Sequence, residues 1–91
     1  MARYLIERTF GSVSEAEMGQ KGSASKKAAN EKYTDIVWEH SHAVGSDQGV
    51  KTFCVYEAPS EQYVRDHAEE AGLPVDRIFE IQADVGPGDF E

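Results

Sequence analysis

Asp35-Ile36-Val37-Trp38-Glu39-His40-Ser41-His42-Ala43-Val44, then Gly45-Ser46-Asp47-Gln48-Gly49, then Val50-Lys51-Thr52-Phe53-Cys54-Val55-Tyr56 is the stretch on which the fold turns. Two runs of β-branched and aromatic residues joined by a short glycine-bounded loop predict an antiparallel hairpin, with strands over 35–44 and 50–56. Downstream, Ala58-Pro59-Ser60-Glu61 opens a helix, with proline and an acidic residue in its first turn. That helix runs to about Ala71, where Gly72 and Pro74 end it. Upstream, Ser12 and Glu15 have the spacing of a capping box, and residues 13–33 are mostly Ala, Glu, Lys, Gln and Ser, which suits a second helix. Gly19 and Gly22 weaken its middle by about 1 kcal/mol each, which predicts a kink or two shorter pieces. Outermost are strands over 3–10 and 77–85, and a short tail at 86–91.

The order is strand, helix, hairpin, helix, strand. With right-handed crossovers it predicts an α+β, ferredoxin-like βαββαβ domain, a four-stranded antiparallel sheet with two helices on one face. Ninety-one residues make one domain, 1–91. Its second sheet face has no helix to cover it, so a homodimer through that open face is expected.

Seventeen acidic against nine basic side chains give a net charge of −8. That field repels nucleic acid and anionic membranes and favours cations. Cys54 is the only cysteine, so an intrachain disulfide is impossible and a reducing, cytoplasmic setting is expected. The N-terminus is charged too early for a signal peptide, and no apolar run nears the ~20 residues that span a bilayer. No phosphate-cradling glycine motif or zinc-finger spacing is present.

The candidate chemistry centres on Trp38-Glu39-His40-Ser41-His42. Under strict alternation Trp38, His40 and His42 share one strand face, with the imidazoles ~7 Å apart, well placed for a divalent transition metal. The hairpin register then sets His40 opposite Cys54, His42 opposite Thr52 and Trp38 opposite Tyr56. Cys54 becomes a metal ligand, a nucleophile beside a base, or simply a buried apolar residue. His67 falls in the apolar stripe of the second helix with Tyr63, Val64, Ala68 and Ala71, so it faces the sheet. It is a core histidine bonded to Glu7 or Glu80, a further ligand, or an acid–base group in a pocket. Glu7, Glu39, Glu57, Glu80, Asp84 and Asp89 are the carboxylates within reach of strands. Which face of the middle strands the helices cover stays open, because both faces mix apolar and polar residues.

Residues 3–10 (RYLIERTF), 38–42 (WEHSH) and 51–59 (KTFCVYEAP), extended by 64–68 (VRDHA) and 73–78 (LPVDRI), together resemble the small bacterial nickel-binding proteins usually catalogued as a domain of unknown function. The resemblance spans nearly the whole chain except the first helix. It implies a ferredoxin-like homodimer that binds nickel, in sequestration or homeostasis. The leading expectation is therefore a non-catalytic metal protein using His40 and His42, with His67 and Cys54 as further ligands. The rival is a dimeric α/β-barrel-like enzyme or small-molecule-binding protein. Its pocket between sheet and helices would be lined by Trp38, His40, Cys54, Tyr56 and His67.

Overall fold

The computed structural model describes residues 1–90. In chain order it contains β1 (Ala2–Gly11), α1 (Glu15–Glu31), β2 (Val37–Ser46), β3 (Gly49–Ala58), α2 (Glu61–Ala71), β4 (Arg77–Glu80) and a 3-10 turn at Pro87–Asp89. The strands form one antiparallel sheet in the order β2-β3-β1-β4, which is the ferredoxin-like arrangement.

The helix ends follow from side-chain capping. Ser14, two residues later than expected, starts α1: its hydroxyl accepts from the Glu17 N–H and the Glu17 carboxylate accepts from the Ser14 N–H. The helix then runs unbroken through Gly19 and Gly22. It does not split into two pieces, and its buried Ser25 is tied to β3, the Ser25 and Tyr56 hydroxyls lying 3.0 Å apart. The Ser60 hydroxyl caps α2 by accepting from the Tyr63 N–H, and Gly72, at φ +70°, ends it. That helix lays Val64, His67 and Ala68 on the sheet.

Two strand bounds differ from the sequence expectation. The hairpin strands continue to a two-residue loop, Asp47-Gln48, because the Ser46 hydroxyl donates to the Gly49 carbonyl and accepts from the Gln48 N–H. β4 ends at Glu80 rather than 85, since Glu80 already pairs with Tyr4, near the start of β1. A last bond from the Ile81 N–H to the Arg3 carbonyl closes that edge.

Alternation along the two central strands sorts the molecule into two sides. Tyr4, Ile6 and Arg8 of β1, with Thr52, Cys54, Tyr56 and Ala58 of β3, are the buried residues on the helix side. Leu5, Glu7, Phe53 and Val55 point to the opposite, helix-free side, which settles the face left open by sequence. There Glu7 is 4% exposed and accepts from Arg77 Nε and Lys51 Nζ, each at 2.6 Å. Arg77 first, then Lys51, holds its carboxyl down at about 2. A carboxyl lowered on folding stabilises the native state above its unfolded pKa and stops doing so as pH falls through the folded one. Stability should therefore drop between about pH 4.5 and 2. Thermal midpoints across that window should fall more steeply for the parent than for Glu7→Gln, whereas parallel slopes would remove Glu7 from the account.

Candidate functional site

The hairpin register decides where each candidate lies. Trp38 does sit opposite Tyr56, but a bulge at Glu39 shifts everything after it by one residue. His40 is then opposite Val55, Ser41 opposite Cys54, and His42 opposite Phe53. Opposed residues share a face. Trp38 and Ser41 therefore lie on the helix side, where the indole Nε1 donates to the Ser41 hydroxyl at 2.9 Å. His40 and His42 lie on the helix-free side. The expected common face for Trp38, His40 and His42, and the expected opposition of His40 to Cys54 and His42 to Thr52, are thus corrected by one extra residue in an edge strand.

His40 and His42 remain neighbours, both exposed, with ring centroids 5.2 Å apart and planes at 76°. With metal–nitrogen bonds of about 2.1 Å, two imidazoles on one ion have ring centres about 4.5–5.5 Å apart. The spacing fits a shared ion. Glu39, next to His40 in the chain, is already committed. Arg3 grips Glu39 with Nε and Nη2, at 2.7 and 3.0 Å, and reaches Asp84 with Nη1 at 2.5 Å. Glu39 is accordingly held below the usual carboxylate range. Among the described residues, no three of His, Cys, Asp and Glu are grouped to hold a metal. One chain offers two imidazoles.

The other two proposed ligands stand behind the sheet and do not join them. Cys54 is 4% exposed, its thiol donating to the Thr52 hydroxyl at 3.4 Å. His67 is fully buried, edge-on to the Tyr33 and Tyr56 rings at 5.8 and 5.6 Å. Its Nε2 lies 3.0 Å from the Ser25 carbonyl, not from Glu7 or Glu80 as the sequence suggested. Glu7 points to the other face, and Glu80 is exposed on the outer strand. A carbonyl only accepts, so Nε2 carries the proton and Nδ1 is an acceptor with no partner among the described residues. Burial lowers the His67 pKa, and the nearby Arg8 charge lowers it further.

Folding therefore favours the neutral imidazole of His67, while the unfolded chain takes up a proton below its ordinary pKa of 6.5. Stability should fall on acidification through that value, with a limiting slope of about 1.4 kcal/mol per pH unit. Denaturant titrations from pH 7.5 to 5 should show this slope for the parent and a flatter one for His67→Leu. Equal slopes would contradict a buried neutral imidazole.

The helix side also holds a cavity of about 170 Å³ between α1, β2 and β3. Trp38, Cys54 and Tyr56 line it, as the pocket reading expected. His40 lies on the other face, however, and His67 is not part of the lining. Arg8, which the sequence reading did not single out, is part of the wall and is 1% exposed. Its signal was available: alternation from Tyr4 and Ile6 carries residue 8 to the buried side.

A family model described as nickel responsive protein SCO4226-like matches residues 4–81. The crystal structure of SCO4226 from Streptomyces coelicolor A3(2) superposes with a TM-score of 0.71 at 24% identity, covering 92% of this chain and 100% of that one. At that identity the likeness is one of fold. No curated protein matches. Among the described residues, no helix is long and apolar enough to cross a membrane.

Proposed function

We propose that this chain, which belongs to the SCO4226-like family of nickel-responsive proteins, binds a nickel-type divalent ion through His40 and His42 as a sequestration or homeostasis protein. The observation that carries this reading is the pair of exposed imidazoles 5.2 Å apart on one sheet face. Neutral imidazole suits Ni, Zn, Cu and Fe alike, and the net charge of −8 draws cations toward the surface. The Arg3–Glu39 and Glu7–Lys51–Arg77 ion pairs occupy Glu39 and Glu7 on this face and leave both imidazoles free of them. Cys54 and His67, on the far side of the sheet, have no part in it.

Two imidazoles fall short of a full coordination sphere, and a second copy of the chain would double them. Two features support such a homodimer, an open sheet edge at β2 and exposed apolar side chains on the helix-free face. β2 is an edge strand of ten residues, exposed along nearly its whole length, which is an open template for pairing. On the imidazoles' own strand Val37 and Val44 are 46% and 41% exposed, and Phe79, on the outer strand at the opposite edge of the sheet, is 48% exposed. Exposed apolar side chains on the face that carries the metal donors suit a partner of the same kind.

The test is calorimetric titration of tag-free protein with nickel, zinc, copper and cobalt, alongside sedimentation with and without metal. Submicromolar binding at fixed stoichiometry is expected in the parent. The His40→Ala/His42→Ala double variant should bind at least about 100-fold more weakly, a scale set by removing all the protein donors from the site. Equal affinity in parent and double variant would overturn the assignment.

A further inference from the structure

The cavity behind the sheet holds an unanswered charge. Arg8 projects from β1 into the helix side, 1% exposed, and its Nη1 donates to the Pro74 carbonyl at 2.9 Å. Nε and Nη2 have no hydrogen-bond partner among the described residues. No carboxylate among them makes an ion pair with this guanidinium, whose central carbon lies 5.7 Å from the centre of the Tyr56 ring. Arginine stays protonated, and a buried charge without a counter-ion is costly.

The unmet atoms are a matched pair. The Nε–H and one Nη2–H of a guanidinium point the same way and together grip both oxygens of a carboxylate. On the other face of this sheet Arg3 uses that same edge on Glu39. Arg8 turns its third nitrogen to Pro74, which leaves this edge without a hydrogen-bond partner among the described residues.

The surrounding wall says what. Lys21 supplies a second cation, its Nζ 5.9 Å from the Phe10 ring centre, and among the described residues of this acidic chain no Asp or Glu lines the cavity. Phe10, Met18, Trp38 and Leu73 make the rest largely apolar. A volume of about 170 Å³ is close to that of an engineered apolar cavity of roughly 150 Å³ that admits benzene. A strongly hydrated inorganic anion would leave its water for greasy walls. A carboxylate on a small hydrocarbon body satisfies both halves of the site.

We propose that this cavity binds a small apolar carboxylate, of the size of benzoate or hexanoate, with its carboxylate on the Nε–Nη2 edge of Arg8 and its body against Trp38. The site is independent of the imidazole pair on the opposite face, so its success or failure is separate from that of the metal reading.

The sole tryptophan lines the cavity and reports on its contents. Benzoate, benzamide, hexanoate, hexanamide and inorganic phosphate would be titrated in the presence of a chelator, following Trp38 fluorescence and confirming by calorimetry. Saturable binding of the two carboxylates is expected, about 10- to 100-fold tighter than the matching amides, the scale of a charge-assisted hydrogen-bond pair. Arg8→Met should erase that preference. Gly22 is part of the lining and a β-carbon there meets nothing within 4 Å among the described residues, so Gly22→Leu is a way to fill the cavity that leaves Arg8 itself unchanged. It should weaken carboxylate binding at least about tenfold, and it keeps the test alive if the Arg8 variant does not fold. The His40→Ala/His42→Ala variant should bind carboxylates like the parent. Binding of amides as tight as of carboxylates, phosphate binding as tight as benzoate, indifference to Gly22→Leu, or no saturation up to about 10 mM would each overturn the proposal.

Discussion

Tyr56→Ala should cost about 3–5 kcal/mol, a large part of the 5–15 kcal/mol that holds a domain of this size together. Tyr56 is 1% exposed and sits where the two helices meet the central strand. Its ring meets Trp38 at 6.1 Å and His67 at 5.6 Å, and its hydroxyl is 3.0 Å from that of Ser25 on α1. Truncation removes that packing, leaves the Ser25 hydroxyl without its partner and deprives the Arg8 guanidinium of the ring beside it. Tyr56→Phe keeps the ring and loses only the hydrogen bond, about 1 kcal/mol. Urea denaturation of the three proteins separates the contributions. A phenylalanine variant as unstable as the alanine one would show that the hydroxyl, rather than the ring, holds the layers together.

The second large effect is expected at Gly49. It opens β3 at φ +92°, and a β-carbon there would stand 2.2 Å from the Gly11 carbonyl carbon and 2.3 Å from its oxygen. Both neighbours are main chain, so neither yields without moving a strand. The φ value alone is unfavourable for an L side chain, by roughly 1–3 kcal/mol, and the overlap adds a comparable amount. Gly49→Ala should therefore lose about 3 kcal/mol or more. Gly11 is the natural control: its φ is +77°, but a β-carbon there would meet only the Gln48 carbonyl at 3.9 Å. Gly11→Ala should lose only the conformational part, about 1–2 kcal/mol. Thermal unfolding of both variants checks the ranking, and a Gly11→Ala loss equal to that of Gly49→Ala would contradict it.

These two sites also show what a sequence carries. The order of elements was legible because local signals agreed: an aromatic and β-branched hairpin, Ser60 ahead of Glu61, and Gly72 after Ala71. His67 was placed facing the sheet by its position in the stripe with Val64 and Ala68, and it is buried there. What failed was anything dependent on counting across strands. One unpaired residue at Glu39 is invisible in composition or alternation, yet it moves His40 and His42 to the face opposite Trp38 and Cys54. A bulge is stabilised by its surroundings, here by Arg3 holding the Glu39 carboxylate from two strands away. The partner of His67 was missed for a related reason. The Ser25 main-chain carbonyl has no sequence signature, while Glu7 and Glu80 look like natural acceptors. Arg8 was overlooked because a charged residue in a strand is ordinarily read as facing water.

The bulge has a functional consequence on the proposed account. Without it, His40 and His42 would crowd the helix side with Cys54, under α1. With it, they stand on the helix-free face, where an ion from solution and a second copy of the chain both have access.

The most direct measurement is a crystal of the nickel-loaded protein with anomalous data collected on either side of the nickel absorption edge. The account predicts a nickel peak about 2.1 Å from a ring nitrogen of both His40 and His42. Nickel peaks confined to surface carboxylates or the chain terminus, with both imidazoles bare, would contradict it.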